Sequence, residues 1–455
     1  MTKTWQLDAF GPRGAYRTRN QMPVTDVTGT VLAEMSMVPS LFITRTAATL
    51  RKAAPLPIEE RAAAIRRAAS AFGSGSVAGM TTPDFQFAVA RSGGSPLPVV
   101  RRATASVAER LSMVHRSVLR ARPAGAAGRW DDPSTGGGRA VWQRRGEVFA
   151  AGTAGNHPGS HSLWPEALAL GYRVLVRPSR REPFTPYRLV LALWEAGFSP
   201  DQVAFLPTDH DRADLLLRSA DRSIVYGGDE VVAKYAGLPA VLPQGPGRAK
   251  VLITAEMDWR DHLDTIVDSV SSEGGTGCVN ATGVLFEGDP TPLCAAIAER
   301  LAVLPALPPD HEDAVLPVQP IAAVRAIQQY LRTKAASGRV WLDDIVGDLG
   351  DGSAALRPSV HQLDSPNAPQ LTVELPFPCV WVAPWDRHVG LTPLRHSLVV
   401  TVLSTDTALI DALVAEPTIS NVHIGDHPTV RMAAGLPHDG YLAEFLMQSK
   451  TIFRD

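Results

Sequence analysis

Between residues 146 and 226 the chain alternates short apolar runs with helical stretches, and this rhythm restricts its possible folds more than any other feature. Residues 146–151, 173–177, 203–206 and 223–226 read as strands, and residues 163–170, 186–196 and 213–219 read as helices between them. Strands separated by helices of about ten residues pair in parallel, which predicts an α/β fold with a doubly wound, Rossmann-type sheet. Sheets of this kind most often carry a dinucleotide outside the carboxyl ends of their strands, although a fold by itself assigns no function. A second α/β unit follows, with helices over 261–271 and 292–301 and strands over 282–286, 379–383 and 397–403. The expected division is a nucleotide-binding domain over 1–246, a catalytic domain over 247–425 and a C-terminal bridging segment over 426–455.

Earlier in the chain, Ile58, Ala62, Ile65, Ala69 and Phe72 recur at helical spacing behind Pro57, which predicts an amphipathic helix. Residues 122–138 are rich in glycine, proline and alanine and lead into an extended run, so residues 122–143 read as a projecting arm.

Charge excludes two classes of partner. The 44 basic and 46 acidic residues nearly cancel, aromatics make up 6%, and no long basic run occurs. Neither nucleic acid nor a membrane surface is therefore an expected partner. Three cysteines in 455 residues cannot form a disulfide framework and point to a reducing compartment, with the cytoplasm as the expected location. No apolar run approaches a membrane span, and the scattered histidines predict no metal site.

Among the cysteines, Cys278 stands apart. Gly274-Gly-Thr-Gly places small, flexible positions before it, and an apolar strand-like run follows. Glycines leave open approach to a thiol and bring backbone N–H donors near it, as a working nucleophile requires. Cys294 and Cys379 lie on apolar helix and strand patterns and are expected in the core.

Several segments, in order along the chain, resemble the aldehyde dehydrogenase superfamily. Residues 27–34 are similar to its opening strand pair and the Glu59-Glu-Arg61 helix to its first long helix. Ala154-Gly-Asn-His-Pro158 resembles Trp-Asn-Xaa-Pro, Val176-Arg-Pro-Ser179 resembles Lys-Pro-Ser, and Val225-Tyr-Gly-Gly-Asp-Glu230 resembles Phe-Thr-Gly-Ser. Cys278 falls where the family keeps its nucleophile, and residues 439–452 resemble its closing helix and strand. The resemblance implies Cys278 as catalytic nucleophile and Asn156 as oxyanion donor. It implies a nucleotide site that includes Arg177, Ser179, Arg180, Gly227, Gly228 and Glu230, and a homodimer or homotetramer paired through the arm and tail.

Departures from the family pattern choose a branch. Where hydrolytic members carry the glutamate of Glu-Leu-Gly-Gly-Lys, which activates water, this chain has Pro243-Gln-Gly-Pro-Gly-Arg-Ala-Lys250, with Gln244 or its neighbours at that place. Gly-Pro-Gly is similar to the CoA-acylating, acyl-CoA reductase branch, in which a thiol exchanges with the acyl-enzyme. That implies reduction of an acyl thioester, carried on CoA or on an acyl carrier protein, to an aldehyde. Arg177-Pro-Ser-Arg180, followed by Arg181, replaces Lys-Pro-Ser-Glu, and guanidinium groups pair well with a 2′-phosphate, so NADPH is expected over NADH. The family's Glu-Xaa-Phe-Gly-Pro is matched here to Pro393-Leu-Arg-His-Ser397, which lacks a carboxylate.

Two further residues are candidates for acid–base work or substrate contact: His157, beside Asn156, and Glu273, five positions before Cys278. His438 and Asp439 read as a polar turn, or as lining of the substrate entrance. Oxidation of an aldehyde to an acid is the competing enzymatic reading, and a degenerate scaffold that binds a partner subunit is the non-enzymatic one.

Overall fold

Val148–Gly152 and Arg173–Arg177 are buried at every residue, as central strands covered on both faces must be. In the computed structural model, which describes residues 4–454, they lie side by side in parallel, with Gly152 opposite Arg177. The complete sheet runs Val241–Gln244, Arg222–Tyr226, Val148–Gly152, Arg173–Arg177, Val203–Phe205, Ala9–Gly11, Gly14–Tyr16. Its first five strands are parallel; the two from the N-terminal end add antiparallel at the edge. Helices Ile58–Ser74, Leu97–Arg120 and Phe184–Glu195 cover one face, where Phe72 and Phe85 meet edge-on at 5.4 Å. Burying each such ring contributes roughly 2–3 kcal/mol. Helices Ser40–Lys52 and Ala213–Arg218 cover the other.

After Gln244 the chain crosses through Gly245, Pro246, Gly247 and Arg248 into a second seven-stranded sheet. Its order is Arg339–Leu342, Ser359–Gln362, Cys379–Pro384, Ala281–Phe286, Ala249–Ile253, Ser397–Leu403, Ile419–Ile424, parallel except for Arg339–Leu342. Helices Leu263–Ser271 and Thr291–Ala302 pack on one face and Ile321–Ala335 on the other. The architecture is the expected α/β one.

Near the start, Gln21–Thr25 and Val31–Ser36 pair antiparallel about Asp26, whose carboxylate accepts the Thr28 and Thr30 N–H groups. Within residues 122–143 the chain folds back on itself. Ala127 exchanges backbone hydrogen bonds with Ala140 and Trp142, and buried Thr135 donates to the carbonyls of Trp130 and Asp132. Its strand Arg139–Arg144 then pairs antiparallel with the last strand, Met447–Ile452. No helix among the described residues is long and apolar enough to cross a membrane.

Candidate active site

Cys278 follows the helix Leu263–Ser271 after a kinked turn, Ser272–Gly275, in which Glu273, Gly274 and Gly275 all adopt left-handed backbone conformations. Gly275 has no room for a side chain: a Cβ there would stand 2.4 Å from the Pro378 nitrogen. Asn280 then fastens the loop. Its Oδ1 accepts the Gly277 N–H at 2.9 Å, and its amide donates to the carbonyls of Ser269, Val270 and Ser272. Gly247 presses from the crossover so closely that a Cβ would lie 1.8 Å from the Cys278 carbonyl oxygen. The loop is thus held on three sides while the thiol stays half-buried. Cys294 and Cys379 are in the core, where burial pushes both thiols up to about 12.

The Cys278 Sγ has one side-chain partner, His438 Nε2, at 3.5 Å. The other ring nitrogen of His438 faces the Asp439 carboxylate at 3.4 Å. Burial alone would lower the imidazole, but the hydrogen bonds and charges of Asp439 and Cys278 outweigh it and raise His438 to about 10. Tyr226, at the end of the strand Arg222–Tyr226, is pushed up by burial and then by the charges of Asp439 and Cys278. It therefore shares this pocket. The sequence offers His438 as a turn residue or as lining of the substrate entrance, and the structure brings it to the thiol.

The two residues expected as acid–base candidates meet each other. His157 Nε2 lies 3.1 Å from a Glu273 oxygen, while His157 Nδ1 accepts the Gly159 N–H at 3.0 Å. Both ring nitrogens are thereby committed. Glu273 also receives Arg102 at 3.2 Å. Burial opposes its charge, yet His157 and Arg102 hold the carboxyl below the usual range. Neither side chain is the hydrogen-bond partner of Cys278 Sγ. Asn156 does reach the loop: its side-chain amide donates to the Thr276 carbonyl at 2.9 Å, two residues before the cysteine.

The sequence profile of the aldehyde dehydrogenase family matches residues 153–443, more than half of the chain, and the match takes in the whole constellation just described. The chain belongs to the aldehyde dehydrogenase family. Curated relatives match over short stretches. An aldehyde-dehydrogenase-like protein of Sinorhizobium fredii is 24% identical over 135 residues, and malonate-semialdehyde dehydrogenase 1 of Bacillus licheniformis is 32% identical over 108. These stretches cover 29% and 23% of this chain but only about a quarter of each relative, 26% and 22%. Solved structures match end to end. The indole-3-acetaldehyde dehydrogenase of P. syringae, solved with NAD+, superposes with a TM-score of 0.84 at 15% identity, covering 98% of this chain and 96% of that one. An NAD-dependent aldehyde dehydrogenase from Sinorhizobium meliloti gives 0.84 at 15% identity over 99% and 95%. The fold is therefore that of an aldehyde dehydrogenase, with a Rossmann-like and a catalytic domain.

In this member of the family, the residues expected to hold a nucleotide gather at the carboxyl ends of the first sheet. Arg177 ends its strand, Ser179 and Arg180 follow it, and Gly227, Gly228 and Glu230 follow Tyr226 on the next strand but one. Arg177 is buried and its guanidinium reaches the Thr208 carbonyl, yet its Nε and the Thr208 hydroxyl have no partner. Arg180 is exposed with no ion-pair partner among the described residues, and the space beside Gly228 is open. Buried, unanswered donors beside a free cation and an open glycine fit an anionic nucleotide. Arg181 does not join them, because its guanidinium donates to the Gly93 carbonyl. Asp229, the neighbour of Glu230, is taken by Arg248 at 2.6 Å.

A buried carboxylate does stand near the cysteine loop, in another segment. Pro393-Leu-Arg-His-Ser397 enters the strand Ser397–Leu403, with Leu394 buried and Arg395 paired to Glu416. Glu374-Leu-Pro-Phe-Pro378 instead runs directly into the strand Cys379–Pro384, and Glu374 Oε2 accepts the Arg248 N–H at 2.9 Å. Arg248 adjoins Gly247, so this carboxylate sits one residue from the contact with Cys278. Burial raises its carboxyl.

Proposed function

We propose that this member of the family reduces an acyl thioester, presented on CoA or on an acyl carrier protein, to an aldehyde through a Cys278 acyl-enzyme. The supporting observation is the state of the carboxylates around the cysteine. Gln244 ends the strand Val241–Gln244, Glu374 is bonded to the crossover backbone, and Glu273 is tied to His157 and Arg102. An enzyme that releases an acid needs a base to activate water, whereas exchange between two thiols does not.

In this reading Cys278 Sγ bonds to the acyl carbon while the bond to the departing thiol breaks. Negative charge collects on the carbonyl oxygen. The second N–H of the Asn156 amide and the Cys278 N–H, which has no acceptor among the described residues, stabilise it. Arg177, Ser179, Arg180, Gly227, Gly228 and Glu230 are the residues that would hold the nucleotide, with Arg180 favouring a 2′-phosphate and hence NADPH over NADH. Bound there, the nicotinamide supplies the hydride that the acyl carbon receives.

A panel of acyl-CoA and acyl-carrier-protein substrates with each reduced nucleotide, run beside Cys278→Ala, tests the reading. Aldehyde formation that is faster with NADPH and abolished in the variant is expected. Acid released from free aldehyde with the oxidised nucleotide, and no consumption of any thioester, would overturn it.

A further inference from the structure

The reading above leaves one question about Cys278: what takes its proton. We infer that His438 is the acid–base residue of this site, that Asp439 positions it, and that the two act on Cys278 as a relay between the C-terminal segment and the cysteine loop. The inference deepens the proposed thioester chemistry but its geometry stands independently.

Three observations carry it. First, His438 Nε2 is the hydrogen-bond partner of Cys278 Sγ, and Asp439 faces Nδ1, so nucleophile, base and orienting carboxylate lie in one line. Second, the backbone of His438 is held. Asn421 on the edge strand Ile419–Ile424 donates to the His438 carbonyl and, at 2.9 Å, to the Leu398 carbonyl. Leu398 in turn gives its N–H to the Gly247 carbonyl at 2.7 Å, and Cys278 packs against the small apolar cluster of Ala249, Leu398 and Val399. The His438 backbone and the cysteine loop are thus both tied to the strand Ser397–Leu403. Third, the other candidate bases are engaged elsewhere: His157 and Glu273 bond each other, and Glu374 bonds backbone.

Proton and bonds balance as follows. His438 Nε2 holds the Cys278 proton before attack, and Sγ forms its bond to the acyl carbon as the thiolate. The carbon–sulfur bond to the departing thiol then breaks, and that sulfur takes the proton back from His438. Asp439 keeps the Nδ1 proton in place throughout and favours the charged ring. The ionisable groups facing His438 are Cys278 from the cysteine loop and Asp439 beside it. Tyr226, from the first sheet, couples to both and also to Glu166. No cation is among them.

Alkylation of the full chain by iodoacetamide across pH 5.5–9, read as adduct on Cys278 by mass spectrometry, tests this without any substrate. Wild type is expected to react faster at pH 6.5 than a chain without the ring, because His438 lies against Sγ. His438→Ala is expected to react at least ~10-fold more slowly at pH 6.5 and to recover only as pH rises, as an ordinary thiol does. His438→Gln, which keeps the bulk of the ring, guards against a folding defect and should show the same loss. Asp439→Asn should fall between them, and Asp439→Glu should restore the wild-type profile. Profiles for both His438 variants that superpose on wild type would overturn the relay. An Asp439→Asn profile identical to wild type would remove Asp439 from it. If the profiles shift as expected but no thioester is ever reduced, the relay stands and the proposed function fails.

Discussion

Gly247 shows how closely the site depends on single residues. Its Cα abuts the cysteine loop so tightly that a methyl group would overlap the Cys278 carbonyl oxygen. Strand Ala249–Ile253, which starts two residues later, is buried throughout and cannot retreat, so the cysteine loop must move instead. Gly247→Ala should therefore fold with a melting temperature within a few degrees of wild type, yet form acyl-enzyme roughly 100-fold more slowly, because a displacement of about 1 Å is enough to spoil attack geometry. Gly245→Ala is the control: the added carbon meets the end of the Val232 side chain at 2.8 Å, which can turn away. Single-turnover rates with an acyl thioester separate the two, and equal rates would sink the argument. The same residue scale shows what a sequence can disclose. Cys278 is legible because its own neighbours, the glycines and Asn280, build its loop. His438 is not, because it lies 160 positions away and only the folded sheet brings it to the thiol.

At the scale of elements, the helix Phe184–Glu195 begins on a buried charge. Glu182 is 3% exposed, its Oε1 accepts the Thr185 N–H at 2.8 Å, and no cation among the described residues pairs with it. Burial raises its carboxyl from 4.5 to about 7. Between those values the folded chain binds more protons than the unfolded one, so the contribution of this group to stability is full below pH 4.5 and is lost as pH rises through 7. Gln keeps the acceptor for Thr185 without the charge. Glu182→Gln should match wild type near pH 5 and exceed it at pH 8 by on the order of 1–3 kcal/mol, measured by urea unfolding at both pH values. A gap that fails to widen with pH would refute it. Elements differ in legibility for similar reasons. Arg173–Arg177 and Ser397–Leu403 agree residue for residue with the sequence reading, because buried parallel strands are apolar runs bounded by turns. Leu97–Arg120, the longest helix, went unread. Val100, Val107, Leu111, Val114 and Val118 do recur at helical spacing, but alanines and arginines crowd between them and mask the stripe.

At the scale of the whole molecule, the tail ties the two domains together and then leaves them. His438 stands at the second sheet; four residues on, Leu442, Ala443 and Leu446 enter the core of the first domain. Tyr172 donates to the Leu446 carbonyl, and Arg145 to that of Met447 at 2.6 Å. Beyond that anchor, Met447–Ile452 pairs only with Arg139–Arg144 among the described residues, so its outer edge is open, while the far edge of Arg139–Arg144 is met by Ala127. Two strands alone are marginal in water, and open edges are templates for pairing. Phe453 at 81% exposure and Trp130 at 60% add apolar surface beside the ribbon. We therefore expect copies of this chain to assemble through it, as a homodimer or homotetramer. Ending the chain at Met447 keeps both anchoring hydrogen bonds and removes the ribbon. Light scattering coupled to size exclusion should then report a monomer where the full chain is larger, while Cys278 keeps its alkylation profile because the site lies wholly before the cut. A full chain that is itself monomeric, or a truncated one that keeps its assembly, would show that the ribbon does not pair subunits.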